Sequence, residues 1–357
     1  MKHYNIAIVG FGNVGRALLQ LLQEKTSELR EHYGIEWQLT GVATRRMGWL
    51  ADPDGLDVTA LLEGKVPATN SSQDIPNASK RALPSAPTNV SEWLTASRAD
   101  VLFELTSLNT ETGQPAIEHV RAALEHGAHV ITANKGTVVH GYRELEQLAR
   151  EHGKQYLFEA TVMGGAPIFS LFKYSLPAAN IQRFRGILNS TSNVILEEME
   201  QGCSFEDAIK KAQELGIAET DPSIDVDGWD ATVKVYAIAT VLMNVPLKLD
   251  EIERQGIRDL SSAEVQAARA AGTPYKPVAS IERSGDGVRA SVKPERLAAK
   301  DPLAAVSGGS MLAHFELDVL PGLTITLDVP NTGMVGPAVT AYDVLADFIR
   351  SVSGSFA

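Results

Sequence analysis

Along the first 135 residues, apolar positions switch between a strand-like and a helix-like period. Residues 4–9 form a short apolar run and residues 16–30 carry leucines at helical spacing. Further strands are expected at 36–43, 100–105 and 129–133, with a helix over 115–126. This βαβ rhythm predicts an α/β fold built on a doubly wound parallel sheet with right-handed crossovers. Residues from about 50 to 98 are rich in Pro, Ser, Asn and Asp, which predicts a polar insertion with short helices near 58–62 and 90–95.

The second half has another rhythm. Residues 233–243 (VKVYAIATVLM) are apolar all round, as in a buried helix, and 262–271 reads as a further helix. Alternation over 278–283, 287–292, 313–319 and 323–329 predicts a mainly antiparallel sheet in an α+β domain. A helix over 341–352 closes the chain. The expected division is 1–148, 149–335 and 336–357, the last segment returning to pack on the first domain.

With 357 residues, 44% of them hydrophobic and 21% charged, the chain has the balance of an ordinary globular protein with two cores. A net charge of -12 argues against a nucleic-acid partner, and no apolar run approaches the roughly 20 residues a membrane span needs. One cysteine, Cys203, leaves no intrachain disulfide and fits a reducing compartment, so a cytoplasmic protein is expected.

Between the first strand and helix lies Gly10-Phe11-Gly12-Asn13-Val14-Gly15. In a Rossmann-type turn the first glycine permits the bend and the second lets a pyrophosphate approach the backbone. The third lets helix pack on strand, and the phosphates sit at the helix N-terminus. The second strand ends in Thr44, Arg45 and Arg46 where NAD enzymes carry an acid, which favours the 2′-phosphate of NADP while leaving NAD open. Thr106 and Ser107 follow the third strand and Lys135 the fourth, at the carboxyl edge of the sheet where ligands bind.

The most unusual segment is 215–234, LGIAETDPSIDVDGWDATVK. Glu219, Asp221, Asp225, Asp227 and Asp230 precede Lys234, and lysine is almost never fully buried unless paired. Asp230 stands four residues earlier, in the favoured acid-before-base order. Such a pair on a solvated helix is ordinary; at the mouth of an apolar helix it points to carboxylates converging on one ammonium. No calcium-loop, HExxH, paired-cysteine or GxSxG pattern accompanies it.

Taken together, GFGNVG, ELTSLN at 104–109, TANKG at 132–136, EATVMGGAP at 159–167, GILNSTSNVIL at 186–196, the 219–234 segment and GPAVTA at 336–341 resemble homoserine dehydrogenase in order and spacing over nearly the whole chain. The resemblance implies an NAD(P)-dependent interconversion of L-homoserine and L-aspartate 4-semialdehyde, on the route from aspartate to threonine, isoleucine and methionine. It implies Lys234 as proton carrier, Lys135 assisting near the nicotinamide, and Glu219, Asp225 and Asp230 holding the substrate ammonium and orienting the lysine. It further implies that Asn189 and Thr191 border that pocket and that Gly336 closes over the cofactor. Backbone carbonyls of Glu159, Val162, Gly164 and Ala166 match the family's sodium loop. A homodimer of the short form, without an appended regulatory domain, is implied as well.

One departure stands out: Asn189-Ser190-Thr191 replaces the family's usual Asn-Gly-Thr, and a serine strains or narrows the pocket if that glycine holds a positive φ. It motivates an alternative substrate, another small amino alcohol or hydroxy acid. A cofactor-binding paralogue without catalysis is the alternative from a different class, opposed by the intact Lys135, Glu219, Asp230 and Lys234.

Overall fold

The structure is a computed structural model that describes residues 1–65, 87–329 and 336–353. The chain forms two compact units, the first from Met1–Thr161 and the segment from Pro337 onward, the second from Val162–Gly336. The break falls past the expected 148/149, because the chain first completes the sheet of the first unit.

That sheet holds β1 (Lys2–Val9), β2 (Ile35–Thr44), β3 (Gly48–Ala51), β4 (Val101–Glu104), β5 (His129–Thr132) and β6 (Tyr156–Leu157), in the order β3-β2-β1-β4-β5-β6. All neighbours run parallel except β2 and β3. Ile6, Ala7 and Ile8 on the central β1 are fully buried, as a strand covered on both faces requires.

Residues 16–30 do not form one helix. α1 (Asn13–Glu24) buries Gly15, Leu18, Leu19 and Leu22, stops at Lys25, and α2 (Thr26–Tyr33) follows, closed by Gly34 at φ +66°. The polar stretch from about 50 to 98 is not a simple excursion either. Its first residues belong to β3, and after α3 (Val58–Leu62) the helix α4 (Val90–Ser97) buries Trp93 completely. The indole N–H donates to the Leu50 carbonyl at 2.8 Å, and a Cβ at Gly41 would lie 2.9 Å from its ring. Residues 66–86 of the expected insertion lie outside the described residues. The sheet is completed through α5 (Ala116–His126) and α6 (Lys135–Glu151).

The C-terminal helix, Gly336–Val352, supplies Val344, Leu345 and Phe348 to the same core as Ile6, Leu18 and Phe103. Phe348 meets Tyr4 and Phe103 edge-on, with ring centroids 6.2 and 5.7 Å apart.

The second unit begins with α7 (Ile168–Ser170), β7 (Ile181–Ile187), α8 (Ser190–Glu200), α9 (Phe205–Glu214), α10 (Ser223–Val226) and α11 (Trp229–Ala237). β8 (Glu253–Arg254), α12 (Ser262–Ala270), β9 (Tyr275–Ser284), β10 (Gly287–Arg296), β11 (Met311–Leu317) and β12 (Leu323–Leu327) follow. The sheet order is β12-β11-β7-β9-β10-β8, antiparallel throughout except for the short β8–β10 pair. Val319, expected inside a strand, is 63% exposed in the turn after β11. The buried helix expected over 233–243 is α-helical to Ala237 and finishes as a π-turn over Ile238–Leu242. Among the described residues no helix is long and apolar enough to cross a membrane.

Candidate active site

In the first unit the three glycines after β1 do three different things. Gly10 has φ +92°, and a Cβ there would lie 2.4 Å from the carbonyl carbon of Leu105. A Cβ at Gly15 would sit 2.9 Å from the Gly10 carbonyl oxygen, so helix and turn touch. A Cβ at Gly12 would meet nothing within 4 Å, and Gly12 caps α1 without any side-chain bond to the first-turn amides. Such an open, uncapped helix start fits the pyrophosphate of a dinucleotide. Arg16 lies over the Phe11 ring at 5.0 Å, bracing the turn. Arg45 and Arg46 are exposed in the turn joining β2 to β3, which the Met47 amide closes on Thr44 Oγ1 at 3.0 Å.

The carboxyl ends of β4 and β5 meet around a buried acid. Glu104, with its side chain wholly buried, accepts from the Thr106 amide and hydroxyl and from Thr132 Oγ1 at 3.1 Å. Asn134 Nδ2 donates to the carbonyls of Thr106 and Ser107 at 3.1 and 3.3 Å. Its Oδ1 accepts the Gly136 amide at 2.9 Å, capping α6, whose first residue is Lys135.

The second unit carries the acids. Asn189 caps α8 by accepting the Ser192 amide at 2.8 Å, and its Nδ2 donates to Asp225 Oδ1 at 2.7 Å and Asp230 Oδ2 at 3.0 Å. Asp230 Oδ2 also pairs with Lys234 Nζ at 2.6 Å, one turn along α11, and the same ammonium donates to the Leu188 carbonyl at 2.5 Å. Lys234 and Asp230 are only 11% and 13% exposed, so the pair is held in a partly dry environment. Burial and the neighbouring Asp230 charge raise the Asp225 pKa, against the opposing pull of Asn189, Lys234 and Thr191. Thr191 also donates to the Ile217 carbonyl at 3.1 Å, tying α8 to the stretch of chain that leads into the acidic segment.

The five acids do not all gather on the lysine: Asp230 pairs with it, and Asp225, bonded to the shared Asn189, feels its charge. Asp227 is taken by the Arg258 guanidinium, and Asp221 accepts the Ser223 amide and hydroxyl. Glu219 is exposed, its backbone carbonyl accepting from Gln213 Nε2 at 3.1 Å. Ser190 is not strained: it opens α8 outside the positive-φ region, and its hydroxyl donates to the Gly309 carbonyl at 2.6 Å. Of the expected cation loop, Glu159 belongs to the first unit and Val162, Gly164 and Ala166 to the second. The Glu159 amide donates to Asp347 Oδ2 at 2.9 Å, and among the described residues no cluster of three or more His, Cys, Asp or Glu could hold a metal. Gly336 is the first residue of the C-terminal helix. Sequence reasoning missed Glu104 and the Leu188 carbonyl. A glutamate ending an otherwise apolar strand was the available signal for the first; none existed for the second.

Residues 167–349 match the family model described as homoserine dehydrogenase, and residues 10–159 match the one described as homoserine dehydrogenase, NAD binding domain. The chain belongs to the homoserine dehydrogenase family. The NAD(+)-dependent homoserine dehydrogenase of Pseudomonas canavaninivorans is 34% identical over 352 residues, spanning 98% of this chain and 96% of that protein. The crystal structure of a putative homoserine dehydrogenase from Archaeoglobus fulgidus superposes with a TM-score of 0.80 at 29% identity, over 98% of this chain and 99% of that one. A hyperthermophilic archaeal homoserine dehydrogenase mutant in complex with NADPH gives 0.76 at 30% identity, each chain covered to 98%. The glycine turn therefore belongs to a nicotinamide-cofactor domain.

Proposed function

We propose that the Asn189–Asp225–Asp230–Lys234 cluster is where this family member binds L-homoserine and moves its hydroxyl proton. The Lys234 ammonium, fixed between Asp230 at 2.6 Å and the Leu188 carbonyl at 2.5 Å, carries the reading. Bound nicotinamide supplies the hydride acceptor or donor. During reduction the Lys234 ammonium gives a proton to the aldehyde oxygen; during oxidation its neutral amine, left once that proton has gone to solvent, takes the hydroxyl proton. Asp230 orients the lysine. Asp225, crowded by Asp230, gains from the ammonium of an amino-acid substrate, whose charge offsets that repulsion. Glu219 is assigned to the substrate ammonium, Thr191 to the border of the pocket, and Lys135 to the nicotinamide end of the cofactor site.

The exposed Arg45 and Arg46 support a preference for NADP through its 2′-phosphate. Gly336 is assigned to closure over the cofactor. A monovalent cation such as sodium is assigned to the carbonyls of Glu159, Val162, Gly164 and Ala166. The working form is taken as a cytoplasmic homodimer.

The test is the initial rate of NADP+ and NAD+ reduction with L-homoserine, beside Lys234→Ala and Arg45→Ala/Arg46→Ala. Removing the proton carrier is expected to lower kcat about 100-fold or more. Removing the arginines is expected to lower kcat/KM for NADP+ and leave NAD+ unchanged. Full turnover by Lys234→Ala overturns the assignment.

A further inference from the structure

Four side chains at the carboxyl ends of β4 and β5 close a ring. Thr106 donates its amide to Glu104 Oε1 at 3.3 Å and its hydroxyl to the same oxygen, while Thr132 donates to Oε2 at 3.1 Å. Thr132 Oγ1 in turn accepts the Asn134 amide at 2.9 Å, and Asn134 Nδ2 returns to Thr106 Oγ1 at 3.2 Å. His119 Nδ1 stands 3.5 Å from Glu104 Oε1 on the remaining side. Glu104 and Thr132 are fully buried, Asn134 is 3% exposed and His119 7%.

Thr106 and Thr132 both offer donors, and a carboxylate is acceptor-only on both oxygens, so the acid matches these neighbours in a way that a glutamine cannot. An amide nitrogen at either position would face a hydroxyl or amide that already donates. Burying a carboxylate is costly without such a shell. Stabilising the sheet edge alone would not require one. What the ring does hold is Thr106 on one strand end and the cap of α6, with Lys135 at its first position, on the next.

We infer that Glu104 is a positioning residue for the nicotinamide end of the cofactor site, fixing Thr106 directly and the Lys135 cap through Thr132 and Asn134. This rests on the cofactor reading above. Glu104 touches neither substrate nor cofactor; it sets the edge on which they meet.

The discriminating measurement is binding of two ligands by fluorescence or calorimetric titration: NADPH, and 2′-phospho-ADP-ribose, which lacks the nicotinamide. In Glu104→Gln and Thr132→Val the Kd for NADPH is expected to rise about tenfold, the loss of one charge-assisted hydrogen bond, while that for 2′-phospho-ADP-ribose changes less than about twofold. Thr132→Ser, which keeps the hydroxyl, is expected to restore NADPH binding. Thr132→Val carries the test should Glu104→Gln not fold. Equal losses for both ligands, or no loss for either, would overturn the inference. Failure of the unaltered protein to bind either ligand would instead remove the NADP preference, and the same comparison is then read with NADH and ADP-ribose; failure to bind those as well would sink the cofactor reading, and this role with it.

Discussion

Asp230 and Lys234 close an ion pair of 2.6 Å across one turn of α11, and both side chains are nearly out of water. A pair of this kind differs from a surface salt bridge. Deleting one partner strands the other charge, so Lys234→Ala mixes a chemical effect with lost stability.

Lys234→Arg separates the two. A guanidinium keeps the positive charge beside Asp230 but does not release a proton near neutrality. Thermal unfolding is expected to stay within a few degrees of the parent, while kcat for homoserine oxidation falls about 100-fold or more. An arginine variant with parental kcat would remove Lys234 from proton transfer.

Asp225 is expected to show a trade between stability and binding. Its folded-state pKa is raised by burial and by Asp230, so its ionisation opposes folding. The favourable contribution is present below the unfolded pKa and is lost as pH rises through the folded one. At pH 7 to 8, Asp225→Asn is therefore expected to melt higher by a few degrees and to raise KM for homoserine about tenfold or more. A variant that melts lower with unchanged KM would show that Asp225 is structural.

The glycine turn gives a paired test. Gly10 is at φ +92°, and a methyl group added there would stand 2.4 Å from backbone, so Gly10→Ala is expected to cost stability, on the order of 2 kcal/mol or more. Gly12 faces open space, so Gly12→Ala is expected to fold normally and lose cofactor affinity. Calorimetry of both variants with and without NADPH reads the difference. Normal cofactor affinity in Gly12→Ala would move the phosphates elsewhere.

His129, at the start of β5, accepts the Gln155 amide at Nδ1, 3.1 Å away. Burial, reinforced by Lys154, lowers its pKa to about 4. A depressed pKa of this kind contributes stability that is complete above the unfolded value near 6.5 and is lost as pH falls toward 4. His129→Gln is expected to lose less stability than the parent between those limits, by about 2 kcal/mol after allowing for partial exposure. Parallel stability curves for the two proteins between pH 4 and 6.5 would contradict this.

Much of the site was legible because its signals are local. The glycine turn lies between a strand and a helix that it joins, and Asp230 is one helical turn from Lys234. What could not be read depends on partners distant in sequence. The five acids look convergent in sequence, yet Arg258, after the β8 region, claims Asp227. Asn189 is expected near the pocket, but its role as the shared donor of Asp225 and Asp230 depends on α8 lying beside α10 and α11. The helix near residues 90–95 is expected, but the complete burial of its Trp93 is masked by the weight of Pro and Ser in the surrounding stretch. The leucine spacing over residues 16–30 hides a helix break at Lys25 for the opposite reason, since periodicity continues where the backbone does not.

The last helix has a consequence for how the molecule is made. Phe348 fills the space between Tyr4 and Phe103, yet it leaves the ribosome after the whole of the second unit has been synthesised. Until then the core of the nucleotide-binding half lacks Val344, Leu345 and Phe348. Translation order thus makes the second unit an insertion that the first must wait for, and the final helix acts as the plug that completes it.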